Sequence, residues 1–190
     1  MSVRISSTSH AVEVTAEERA DVDVRGRARV TVDGDRTTVD GVRGKLDVRV
    51  PAGADVVVGT VSGRVRIRGP VGAVAVTTVS ARIEVEEATE LDARTESARV
   101  VVGRSEGMCR VRSRSGRVEV GACAGADLST ASGRITVGEA SGPVSAHCVS
   151  GRIDVTMATA DDVDAETVSG RVEVHLPPGV EPGVDCSCEA

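Results

Sequence analysis

Seven arginines pose the first chemical question. Arg64, Arg82, Arg99, Arg117, Arg134, Arg152 and Arg171 recur at steps of 18, 17, 18, 17, 18 and 19 residues. Each follows a serine and then a Gly or Ala. Stacked as a repeat, their guanidinium groups would form a line with the spacing of neighbouring strands, roughly 4.8 Å. Such a line could match a repetitive anionic polymer or an acidic ridge on a protein. The plainer reading is a solvated row. Exposed unit charges at that separation repel by less than about 1 kcal/mol. Glu84, Glu119, Asp154 and Glu173 stand two positions on, facing the same way. Exposed pairs of this kind are individually weak, so the solvated row is favoured. The seven arginines are kept as the candidate interaction ladder.

Other residue types offer less chemistry. Two positions before each anchor serine stand Thr60, Thr78, Thr95, Ser113, Thr130, Cys148 and Thr167. A flat outward array of hydroxyls would suit an ice-binding surface, but the phase opposes it. Turning Thr60 and Ser62 outward would also expose Val56 and Val58, and would bury Glu96 and Arg114 without partners. The hydroxyls are therefore expected inside, bonded along their column or to the backbone at the bend. Cys109, Cys148, Cys186 and Cys188 fall in inward columns, where free cysteine acts as a small hydrophobe. Cys123, in a Gly-Ala-Cys-Ala-Gly turn, is expected at the surface. His175 with Cys186 and Cys188 lacks the paired spacing of structural zinc sites. His10, His147 and His175 lie in separate segments, and no triad or dyad is expected around them. The sequence holds no glycine-rich phosphate loop, zinc pair or calcium-loop repeat. No catalytic, cofactor-binding or metal residue is assigned, and no cofactor is expected. The chain reads as a non-enzyme.

The elements that must position these residues follow from composition and period. Among 190 residues there is no Phe, Tyr or Trp, while 37 are Val, 4 Leu, 5 Ile and 21 Gly. An apolar set so biased to β-branched residues argues for strands. Without aromatics, base-stacking platforms, aromatic cation cages and aromatic hot spots cannot be built. A net charge of −6 speaks against general attraction to nucleic acid or anionic membrane. No apolar run is long enough to span a bilayer. The amino-terminal Met-Ser-Val-Arg-Ile-Ser-Ser lacks the apolar stretch of a signal peptide. An odd count of five cysteines without paired spacing fits a reducing compartment. The expected location is cytoplasmic.

Around each arginine the alternation has period two. Val65-Arg66-Ile67 and Ile153-Asp154-Val155 follow the anchors; Val56 and Val58, then Val74 and Val76, precede them. Each unit is thus two short strands joined at Ser-Gly. A unit of 17–19 residues cannot bury its own apolar face and must stack on its neighbours. The predicted fold is all-β: a parallel β-solenoid, or single-stranded β-helix, of about eight such coils over residues 43–190. Arg43-Gly44-Lys45-Leu46 reads as a degenerate early unit with Lys45 in the arginine column. Val48-Arg49-Val50-Pro51-Ala52-Gly53 is echoed by Val174-His175-Leu176-Pro177-Pro178-Gly179. Residues 1–42, with a hairpin signal at Asp33-Gly34, are read as an N-terminal β cap on the first coil.

The reiterated Thr-Val-Ser-Gly-Arg-Val-x-Val phrase, as in residues 60–67 and 167–174, and the Val-x-Val-Pro-Ala-Gly beside it resemble a bacterial family named as adhesins. That family is a β-strand-repeat domain of unknown function, and the resemblance covers roughly residues 40–188. It implies a β-solenoid without assigned catalytic residues. Bactofilins, polymer-forming β-solenoids, are a looser likeness that shares the Val-rich, aromatic-poor coil. The expected function is a rigid structural or interaction module presenting repetitive faces to a protein or polymer. The alternatives are a filament-forming scaffold that self-associates through solenoid ends, and a polysaccharide-binding or -processing β-helix.

Overall fold

The computed structural model describes residues 1–159 and 161–178, and the strand pairing of 184–188. Every regular element is a strand: β1 (Ser2–Ser7), β2 (Val12–Glu17), β3 (Asp23–Asp33), β4 (Arg36–Pro51), β5 (Asp55–Ala140), β6 (Val144–Met157), β7 (Val163–His175) and β8 (Val184–Cys188). They join one sheet, in which, among the described residues, all pairings are parallel except that of β3 with β4. β5 is so long because the chain keeps its pairing with the rungs above and below as it turns each corner. The fold is therefore all-β and built of stacked parallel rungs.

Register shows the stacking column by column. Ser132, Gly133, Arg134 and Ile135 pair with Ser150, Gly151, Arg152 and Ile153, which pair in turn with Ser169, Gly170, Arg171 and Val172. The alternating apolar positions point inward: Val56, Val58, Val65, Ile67, Ile83, Val100, Ile135 and Ile153 are all at most 1% exposed. Each such side chain contributes about 1.5–3 kcal/mol by leaving water. A single rung cannot shield them, so the stack is what makes the burial possible.

The start of the chain joins the stack. β1 lies between β4 and β5: Val3 pairs with Thr37 and Val56, and Ile5 with Val39 and Val58. β2 continues the same rung, with Val12 between Leu46 and Val65 and Val14 between Val48 and Ile67. Val3, Ile5 and Val14 are completely buried. Residues 2–17 are thus a rung paired on both edges, between β4 and β5. β3 covers the end. It runs antiparallel along the far edge of β4 and is joined to it by a hairpin whose turn residues are Gly34 and Asp35, one position on from the predicted Asp33-Gly34, with Gly34 at φ +56°. Val22, Val24 and Ala28 pack partly against the core from this side.

The connection after β4 has to step past the inserted rung. Ala52 and Gly53 donate their amides to the carbonyls of Glu17 and Pro70, both at 3.0 Å, with Gly53 at φ +75°. The Pro-Ala-Gly phrase is this crossing. Its echo at Pro177-Pro178-Gly179 runs beyond the described residues at Gly179. Lys45 falls in the arginine column as expected, since Leu46 and Val65 both flank Val12 in register. In the same alignment Ser7 matches Thr60, so Ser7-Thr8-Ser9-His10 is a worn copy of Thr60-Val61-Ser62-Gly63. Its wear is visible: Ser7 Oγ and His10 Nδ1 are buried without a hydrogen-bond partner.

Candidate interaction surface

The corner that carries the arginines is built from inside. Thr60, Ser113 and Thr130 turn inward and donate their hydroxyls to the carbonyls of Ser62, Ser115 and Ser132, at 3.0, 3.1 and 3.2 Å. Thr78 and Thr95 donate instead to Val61 and Val79 on the preceding rung. These hydroxyl-bearing residues are buried, so the column is a seam that fixes the bend rather than an outward array.

One step on, the small residue lets the rungs close up. Gly133 and Gly151 have φ of +147° and +155°, where a β-carbon is disfavoured. A Cβ on Gly133 would run into the Gly116 carbonyl, and one on Gly151 into that of Gly133. Ala81 and Ala98 occupy the same column with ordinary φ, so the earlier corners take a different path. Glycine is therefore uninterrupted only from Gly116 to Gly170. There the corner opens into a groove of about 710 Å³ with Gly116, Gly133, Gly151 and Gly170 as its floor. Arg117, Arg134, Arg152 and Arg171 line it.

The seven arginines are not equivalent. Arg152 is half-buried and the others are exposed. Arg99 and Arg117 share Glu119, at 2.8 and 3.5 Å. Arg171 holds Glu173 at 3.3 Å, and Arg82 sits 3.8 Å from Glu84. Glu84 belongs more closely to Arg66 on the preceding rung, whose Nε donates to it at 2.7 Å. The hydrogen bond from Arg66 holds the Glu84 carboxyl below its ordinary value, and the one from Arg99 does the same for Glu119. Lys45 lowers Glu13 likewise, at 2.8 Å. Arg64, Arg134 and Arg152 make no ion pair among the described residues. Asp154, read as compensation for its neighbour, pairs with none of the arginines.

Beside this corner stand residues that the alternation pattern passed over. Val61, Val79, Val149 and Val168, at the middle of the Thr-x-Ser phrase, are 43–54% exposed. The residue after an inward Thr on a strand must face out; the anchor serines, expected inside with the threonines, are instead exposed, except half-buried Ser62, because the chain turns there. Cys109 and Cys148 are buried as expected, but Cys123 is also buried, at 4% exposed, and this corrects its placement at the surface. Its short turn stays paired into the stack, where Ser141 donates its amide to the Cys123 carbonyl at 3.0 Å. Burial pushes the Cys109 thiol up to about 12, with Cys123 nearby adding to it, and the Cys123 thiol up to about 11. Register sets Cys186 beside Ala165 and Cys188 beside Thr167. Their side chains, and the His175–Cys186–Cys188 reading with them, lie outside the described residues.

His147 also departs from expectation. Its Nε2 is 2.9 Å from Ser145 Oγ, and its Nδ1 is 3.3 Å from Glu166 Oε2 on the next rung. This order of contacts is that of a serine triad, but it lies on an open strand face. The imidazole there links β6 to β7, with Asp164 3.8 Å away. Among the described residues no group of three His, Cys, Asp or Glu side chains is arranged to hold a metal, and no helix is long and apolar enough to cross a membrane.

Parallel rungs in strict register, a Val-rich interior and a charged corner column define a β-solenoid-like repeat domain. The Toastrack DUF4097 family model matches residues 2–189, and the chain belongs to that family, whose function is unknown. The match carries neither an adhesin nor a bactofilin assignment. No curated protein and no solved structure matches the chain.

Proposed function

We propose that this chain is a non-catalytic interaction module: a rigid β-solenoid of about eight coils, capped at one end, that presents its arginine corner to an acidic protein or polymer. One observation carries the reading. Arg117, Arg134, Arg152 and Arg171 line a single open groove whose floor is bare glycine backbone. The stacked core fixes the backbone of all four arginines, so a ligand has to order only their side chains and not the chain that carries them. Glycine also admits a ligand close to the backbone.

Filament growth through both ends is disfavoured by β3, which occupies the edge of β4 that a second solenoid would need. The test is a comparison of bound partners for the wild type and for an Arg117→Glu, Arg134→Glu, Arg152→Glu variant of unchanged thermal stability. Loss of acidic partners supports the module. An unchanged partner set returns the ladder to a solvated row.

A further inference from the structure

Charge along the groove is uneven, and the unevenness singles out one step of the ladder. Two positions beyond the arginines, the column reads Glu119, Thr136, Asp154, Glu173. Arg117 and Arg171 each meet the carboxylate of their own rung. Arg134 has Thr136 in that place, and Asp154 makes no ion pair with Arg152, although Asp92 pairs with Arg94 at the same spacing, 3.1 Å apart. Arg134 and Arg152 are direct register neighbours, so two cationic side chains leave adjacent rungs with no ion-pair partner among the described residues. On the other side of the same bends stand Val149 and Val168, 54% and 47% exposed, with Ala131 exposed in the rung before. Two unpaired cations and a short apolar ridge therefore meet across the Ser-Gly corner.

Resting on the interaction module proposed above, we infer that the Arg134–Arg152 step and the Val149–Val168 ridge form a docking site for an extended acidic segment of a partner protein, one that carries apolar residues among its carboxylates. Each guanidinium offers a planar fork of donors to a carboxylate, and two on adjacent rungs fit carboxylates from one short segment. The valines separate this partner from an acidic polysaccharide. A polyuronate would satisfy the arginines but leave the ridge wet, and the chain has no aromatic ring on which a sugar could stack. A peptide with Leu or Val among its acids covers both. Attraction between exposed charges also makes the binding salt-dependent.

The experiment uses the full chain and two probes, a fluorescein-labelled ten-residue peptide of alternating Glu and Leu and a labelled oligogalacturonate. Variants are first matched to wild type in circular dichroism and thermal midpoint. The peptide is expected to bind about tenfold or more weakly to Arg134→Glu/Arg152→Glu, and severalfold more weakly to Val149→Ser/Val168→Ser. It should bind within about twofold of wild type to Arg104→Glu/Arg110→Glu, a charge-matched control on exposed positions outside the ladder. Equal weakening in both arginine pairs would overturn the site in favour of diffuse charge. Preference for the oligogalacturonate, indifferent to the valines, would overturn the peptide partner while leaving the module standing. Failure of the wild type to bind either probe would overturn both.

Discussion

Ile5 lies in backbone register with Val58, a residue far along the chain, and its other edge pairs with Val39. The first rung of the sequence is therefore an interior rung of the structure, and several measurable properties follow from that and from the corner beside it.

If residues 2–17 are structural, truncating their core should cost as much as truncating the middle of the stack. Ile5→Ala and Ile135→Ala each remove a completely buried side chain. Each should lower the unfolding free energy by about 2–5 kcal/mol in urea titration. A peripheral cap would instead give a small loss, or a separate early transition, for Ile5→Ala.

The glycine floor should tolerate no β-carbon. Gly133→Ala puts one against the Gly116 carbonyl at a φ of +147°, with a conformational cost of about 1–3 kcal/mol before the backbone collision is counted. Gly41→Ala, at φ +65° but with open space around it, should lose less. Urea midpoints compare the two, and equal losses would show that the corners are not closely stacked.

The three buried cysteines should be inert while the chain is folded. Thiolate is the reactive form, and the Cys109 and Cys123 thiols, near 12 and 11, hold almost none at pH 8. Burial raises the Cys148 thiol as well. Iodoacetamide labelling mapped by mass spectrometry should find Cys109, Cys123 and Cys148 unmodified in buffer and fully modified in denaturant. Rapid native labelling of Cys123 would place it back at the surface.

Glu13, Glu84 and Glu119 tie neighbouring rungs through Lys45, Arg66 and Arg99, and each carboxyl lies below its ordinary 4.5. A carboxyl lowered by folding adds stability above its unfolded value and loses that contribution as pH falls through the folded one. The Glu13→Gln, Glu84→Gln, Glu119→Gln variant should therefore melt below wild type at pH 7, with the gap closing as pH falls below about 4.5. The gap should be small, because these pairs are partly solvated. A gap that persists at the lowest pH would mean that the pairs are not what links the rungs.

The repeat was open to reading because a stacked fold writes its geometry into a period. The Ser-Gly-Arg spacing located the corners, the alternation gave the inward columns, and the missing aromatics matched a narrow core. The inserted rung was not open to reading in the same way. Ser7-Thr8-Ser9-His10 has lost the Gly-Arg signature, and nothing local tells β4 to pair with a strand that precedes it in the chain. The corner surface was half legible. The arginine column is plain in the sequence, but which arginines keep a carboxylate depends on how the side chains are placed: Glu119 pairs with Arg99 on the preceding rung as well as with Arg117, and Asp154 pairs with no arginine. Cys123 was misplaced because Gly-Ala-Cys-Ala-Gly resembles a surface turn, although its neighbours hold it in the stack.

The most direct test of the groove is a titration of the isotopically labelled full chain with the Glu-Leu peptide, followed through backbone amide chemical shifts. The structure predicts saturable shifts concentrated at Gly133, Arg134, Gly151, Arg152 and the neighbouring Val149 and Val168, with β1 and β2 unmoved. Shifts spread evenly over the surface, or centred away from this corner, would contradict it.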